Sequence, residues 1–87
     1  MNKEELRKTL EELGWTEVDE ESGRFTAIVV SPTFEGMDEG ERQHRVWKLV
    51  LDRLGSPASV DVDFIYTYSP SEKAALDRGE ALPELTD

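Results

Sequence analysis

A hydrophobic segment that stops at Pro32, turns through Phe34-Glu35-Gly36-Met37 and continues as a long amphipathic helix limits this chain more than any other feature, and it occupies residues 31–54. Pro32 has no N–H to give to a sheet ladder, so a strand arriving from the N-terminal side must end there. Asp38 with Glu41 three residues later makes a capping box, Glu39 places negative charge at the positive end of the helix dipole, and Gly55 supplies the stop. Trp47, Val50, Leu51 and Leu54 recur at i, i+3, i+4 and i+7. That spacing lines one face of a helix, and the face needs a sheet to cover.

The rest of the chain arranges itself around this unit. Asn2 with Glu5 opens a first helix whose narrow stripe, Leu6, Leu10 and Leu13, runs to Gly14 and predicts a peripheral element. Trp15 to Val18 reads as a short strand, Asp19 to Gly23 as a turn, and residues 24–31 as a second strand, together a hairpin. Because Phe25 to Val30 is nearly continuous in apolar residues, the second strand is expected to be central and partly covered on both faces. After a loop at residues 56–59, Val60 to Tyr68 alternates: Val60, Val62, Phe64, Tyr66 and Tyr68 are expected toward the core, and Asp61, Asp63, Ile65 and Thr67 away from it. Ser69-Pro70-Ser71-Glu72 then combines an N-cap, a proline at the first helical position and a capping glutamate, opening a short helix through Leu76 that stops at Gly79. The expectation is a single small α+β domain over residues 1–80, ordered helix-strand-strand-helix-strand-helix, with residues 81–87 as an acidic tail. Its three-stranded mixed sheet pairs the hairpin strands antiparallel and the second and third strands parallel through a right-handed crossover.

Composition narrows the function. Eighty-seven residues bury only somewhat more than about 60% of the unfolded surface, which leaves no room for a large internal active-site cavity. Twenty acidic against ten basic residues give a net charge of -10, which opposes binding to phosphate backbones and to anionic membrane surfaces, and is a balance also met in high-salt proteomes. With no cysteine, the chain alone forms no disulfide and no thiolate-held zinc or iron-sulfur centre. No apolar run is long enough to span a bilayer, and the N-terminus begins with charged residues rather than a targeting pattern, so a cytoplasmic protein is expected.

Few residues carry candidate chemistry. His44 is the only histidine, and as a ligand or proton shuttle it would titrate near neutral pH; its position ahead of the apolar stripe favours a solvated helix-surface residue. Asp61 and Asp63, on one face of a strand about 6 to 7 Å apart, would suit a hard cation or acid-base work, against the reading that they keep an exposed sheet face from associating. Two ligands are too few for the first reading. Arg42, Arg45, Lys48 and Arg53 form either a docking patch for an acidic partner or a solvated face with Glu41/Arg45 and Lys48/Asp52 pairs, and both readings stand.

Two blocks of residues resemble the BolA family. One is Phe34-x-Gly36-Met37 followed, after a short spacer, by Glu41-Arg42-Gln43-His44-Arg45-Val46-Trp47; the other is residues 60–72, ending in Ser69-Pro70-Ser71-Glu72. Arg42-Gln43-His44 matches the family's basic triplet without gaps, while Lys73 stands where the family has tryptophan and Asp61 where it has its cluster-ligating histidine. The resemblance implies a fold like a type II KH domain and a non-enzymatic adaptor whose partner is a protein, of the monothiol glutaredoxin kind, with which BolA-like proteins share a [2Fe-2S] cluster; some members are linked to stress responses and transcription. It implies partner contacts at Phe34, Gly36, Arg42, His44, Arg45, Asp61 and Asp63, no metal or cofactor in the isolated chain, and a monomer or weak dimer. The alternatives are a KH-like nucleic-acid-binding regulator and a diverged stress or structural protein. Gly36 to Gly40 is one residue longer than a KH-type Gly-x-x-Gly loop and its insert is acidic, which opposes phosphate gripping.

Overall fold

In a computed structural model that describes residues 2–79, the chain runs α1 (Lys3–Leu10), β1 (Trp15–Glu21), β2 (Arg24–Val30), a 3-10 turn (Pro32–Phe34), α2 (Glu39–Leu54), α3 (Pro57–Asp61), β3 (Val62–Tyr68) and α4 (Pro70–Asp77). All three capping boxes form: the backbone N–H groups of Glu5, Glu41 and Glu72 donate to the side chains of Asn2, Asp38 and Ser69, at 2.8, 2.8 and 3.3 Å. Gly55, with φ of 82°, ends α2. The acidic tail expected at 81–87 lies outside the described residues.

The sheet has the order β1-β2-β3, antiparallel then parallel, as the hairpin and the crossover require. Its turn is tighter than the five residues expected. Glu21 pairs with Arg24, so only Ser22 and Gly23 link the strands, both at positive φ (55° and 79°), the geometry that matches the twist of the flanking strands. Strand β1 accordingly reaches Glu21 rather than ending near Val18. Gly14, ahead of β1, lies so close to the Val30 carbonyl oxygen that a Cβ there would collide with backbone. Glycine is required by that approach.

Helices α1, α2 and α3 cover one face of the sheet. Val18 of β1, Phe25, Ala27 and Val29 of β2, and Val62 and Ile65 of β3 meet Leu6 and Leu10 of α1, Phe34, Val46 and Val50 of α2 and its approach, and Ala58 of α3 in one core. Helix α1 is therefore not peripheral. Leu6 and Leu10 are fully buried, and α1 packs on both β1 and α2. The helix itself ends at Leu10, a turn carrying Leu13 to Gly14.

Two further sequence expectations fail for identifiable reasons. On α2 the buried positions are Arg42, Val46 and Val50, with Trp47 and Leu54 at the margin, while Leu51 is 41% exposed. Arg42 keeps the i, i+4, i+8 line of the buried stripe but is polar, so a count of apolar residues rotates the face toward Leu51. Val50→Ala should cost about 2 kcal/mol and Leu51→Ala less than about 1 kcal/mol, as read from chemical denaturation midpoints. Equal losses would place Leu51 back in the core.

The second failure is in β3. Residues 57–61 form α3 instead of a loop running into a strand, so Val60 is exposed on a helix and β3 begins at Val62. A register shift follows: Phe25 pairs with Val62 but Thr26 pairs with Phe64, which leaves Asp63 as an extra residue. One inserted residue exchanges the faces of everything after it. Ile65 and Thr67 are buried, and Phe64 and Tyr66 point to the open side.

Candidate functional site

The sequence-predicted residues divide into those the fold uses and those it leaves accessible. Ser31 starts the 3-10 turn by accepting the N–H of Thr33 at 3.1 Å, and the turn drives Phe34 completely into the core. Over the Phe34 ring, 5.8 Å from its centroid, lies the guanidinium of Arg42. Arg42 is nearly all buried and spends its donors inside the molecule: Nε on the Met37 carbonyl at 3.0 Å, Nη1 on the Thr67 carbonyl at 3.2 Å, and the fork on both Glu72 oxygens at 2.7 and 3.1 Å. This pair joins α2 to α4. The hydrogen bond with Arg42 holds the Glu72 carboxyl below its ordinary range, against the opposing effect of burial and with help from the Ser69 N–H; the same bond raises Arg42.

Gln43 has a similar internal role. Its Nε2 donates to the Ile65 carbonyl at 2.8 Å and to Glu39 at 2.9 Å, and its Oε1 accepts from the Trp47 indole at 3.2 Å. Arg42 and Gln43 thus occupy carbonyls of β3, an outer strand of the sheet whose free backbone groups would otherwise invite pairing. Nothing in the spacing of α2 announced these bonds, because they depend on the register of β3.

His44 and Arg45, by contrast, are exposed and line one open groove of about 770 Å³ along α2. Its apolar contributors include Leu13, Met37 and Leu49, and charged residues of both signs rim it. Arg45 makes no ion pair among the described residues, while Lys48 bonds Asp52 at 3.2 Å and Arg53 pairs with Glu12. Gly36 is exposed at the turn before the helix, with φ of 79° that only glycine adopts freely.

Asp61 and Asp63 do not share a strand face. Asp61 closes α3, half-buried, and Asp63 is the extra residue of the β3 irregularity, where it accepts from Arg24 Nε at 2.6 Å. Among the described residues no group of three or more His, Cys, Asp or Glu is placed to hold a metal ion, and no helix is long and apolar enough to cross a membrane.

Helices laid on one face of a three-stranded mixed sheet, with a 3-10 turn feeding the long helix, define a small α+β domain. Three solved structures that it resembles are BolA proteins or BolA-like. BolA1 from Arabidopsis thaliana superposes with a TM-score of 0.60 at 22% identity, over 83% of this chain and 96% of that one. A BolA homologue from Coxiella burnetii gives 0.62 at 25%, over 85% and 97%. A Bol-like protein from Babesia bovis gives 0.67 at 22%, over 90% and 95%. No protein-family model matches the sequence, and no curated protein matches it significantly. The fold is BolA-like, as the sequence resemblance implied.

At the position matched to the family's ligand, the side chain does not suit a [2Fe-2S] cluster. The chain has no cysteine, and the position that matches the family's ligating histidine carries the carboxylate of Asp61, a hard donor where soft thiolate and imidazole are the usual ligands.

Proposed function

We propose that this protein is a non-enzymatic BolA-like adaptor that binds another protein, of the monothiol glutaredoxin kind, in an iron-sulfur or stress setting in the cytoplasm. The observation that supports this reading is the extent of the likeness: the fold covers 95 to 97% of the BolA chains from all three organisms, so nearly the whole of each BolA domain has a counterpart here. The accessible part of the matched segment, Gly36, His44 and Arg45 beside the groove, together with Asp61 at the α3–β3 junction, forms the contact surface. Phe34 and Arg42 support that surface from inside. Asp63 is held by Arg24 at its edge. With a carboxylate at position 61, the complex forms without a mixed-ligand cluster.

The test is co-expression with a monothiol glutaredoxin, anaerobic purification, and visible absorption and circular dichroism of the complex. The unmutated protein should co-purify without the cluster spectrum, and Asp61→His should introduce it. A stable heteromeric cluster in the unmutated complex, unchanged by Asp61→Ala, would place ligation elsewhere. Failure to co-purify, together with oligonucleotide binding that weakens steeply as salt rises toward about 150 mM, would favour the nucleic-acid reading that the net charge of -10 opposes.

A further inference from the structure

The face of the sheet turned away from α1, α2 and α3 is arranged in three cross-strand rows. Register places Trp15, Val30 and Tyr68 in the first, Glu17, Ile28 and Tyr66 in the second, and Asp19, Thr26 and Phe64 in the third. Trp15 is exposed in the first row; Phe64 at 41% and Tyr66 at 44% are exposed in the other two and meet edge to face with centroids 4.7 Å apart. Each of these last two therefore shares its row with a carboxylate, and neither Glu17 nor Asp19 makes an ion pair among the described residues. Two shallow depressions, of about 230 and 290 Å³, share Asp19 and Thr26 and so form one path along the hairpin, ending where Arg24 is already held by Asp63.

The first row shows what such an arrangement accepts. Lys73 of α4 sets its ammonium 5.3 Å from the centroid of the Trp15 ring and donates to Asp77 at 2.8 Å, an aromatic face and a carboxylate sharing one cation. In the first row that carboxylate comes from α4 itself, four residues after Lys73; in the second and third rows the sheet supplies both the ring and the carboxylate, and no cation is paired with Glu17 or Asp19 among the described residues. We propose that this open face is a docking site for an extended lysine- or arginine-rich segment of a partner protein, whose cationic side chains lie over Tyr66 and Phe64 and pair with Glu17 and Asp19. A single-stranded nucleic acid would stack on the same rings, but its phosphates would meet carboxylates. A second copy of this chain would bring the same two acids against themselves. The site shares no residue with the groove or with Asp61 and meets the adaptor surface only at the Arg24–Asp63 pair, so separate residues test the two readings.

The probe is a short peptide alternating arginine with valine, titrated into the full chain at moderate salt and followed by amide NMR shifts and calorimetry. Binding should shift amides along β1, β2 and β3, and Phe64→Ala with Tyr66→Ala should weaken it about tenfold or more. Glu17→Gln with Asp19→Asn should weaken it similarly, whereas Glu20→Gln, on the opposite face beside Phe25, should not. All of these side chains are exposed, and retained far-ultraviolet dichroism confirms that each variant is folded. The proposal is overturned if the peptide does not bind, if Glu20→Gln matters as much as the on-face variants, if the glutamate counterpart of the peptide binds equally, or if the aromatic variants abolish oligonucleotide binding or self-association instead.

Discussion

Arg42→Ala is expected to destabilise the protein by about 3 kcal/mol, the lower end of the range for removing one member of a buried, hydrogen-bonded ion pair, because Arg42 is buried and Glu72 only partly so. The loss has three parts. Glu72 keeps its charge while its side chain is only 27% exposed, the carbonyls of Met37 and Thr67 lose their donors, and the Phe34 ring loses the cation above it. Arg42→Lys should recover only part of the stability, because an ammonium cannot span both Glu72 oxygens and two carbonyls at once. The pair also sets an acid limit. Glu72 is depressed below its unfolded value of 4.5, so its contribution is complete above that pH and is lost as pH falls through the lower folded value. Denaturation midpoints measured from neutral pH downward should therefore decline more steeply in the native protein than in Glu72→Gln, and the two curves should converge at low pH. Parallel curves would mean that the pair does not couple folding to protonation.

How much of this was legible beforehand depends on whether the signal is local. The three helix starts were readable because a capping box is a contract between residues three apart, and Asn2/Glu5, Asp38/Glu41 and Ser69/Glu72 each carry both halves of it. The order of elements and the mixed sheet followed from the proline stop and the helical crossover. What failed were the inferences that depended on which side chains face the core. Alternation along residues 60–68 was real, but the fold inserts Asp63 as an extra residue, and no spacing within the strand reveals which partner residue it skips. The stripe on α2 was shifted because the buried line includes an arginine whose acceptors, at Thr67 and Glu72, are 25 and 30 residues away. The same long reach explains the site. His44 and Arg45 were correctly read as surface residues of a helix, whereas Arg42 and Gln43 belong to the interior through bonds to β3 and α4. The open aromatic face was invisible from the sequence because Phe64 and Tyr66 were counted as core.

Phe34 offers the sharpest separation between a residue that folds the protein and one that touches a partner. It is the largest of the fully buried side chains, and it fills the space between the turn after β2 and the guanidinium of Arg42. Phe34→Ala should cost about 3 to 5 kcal/mol, the transfer of a ring out of the interior plus the cavity it leaves. Phe34→Leu preserves most of the volume but not the aromatic face, so its loss should be smaller, about 1 to 2 kcal/mol. Because Arg42 rests on the same ring, the losses of Phe34→Leu and Arg42→Ala should not add: the double variant should fall short of their sum by about 0.5 to 1 kcal/mol, measured as a double-mutant cycle from urea midpoints. A direct contact with the partner predicts the opposite pattern. In that case Phe34→Leu would leave the midpoint of the isolated protein unchanged and weaken the complex, and the coupling to Arg42 would vanish in the absence of the partner. With the ring fully enclosed, its effect on binding should appear only as far as the variant loosens the approach to Gly36, His44 and Arg45.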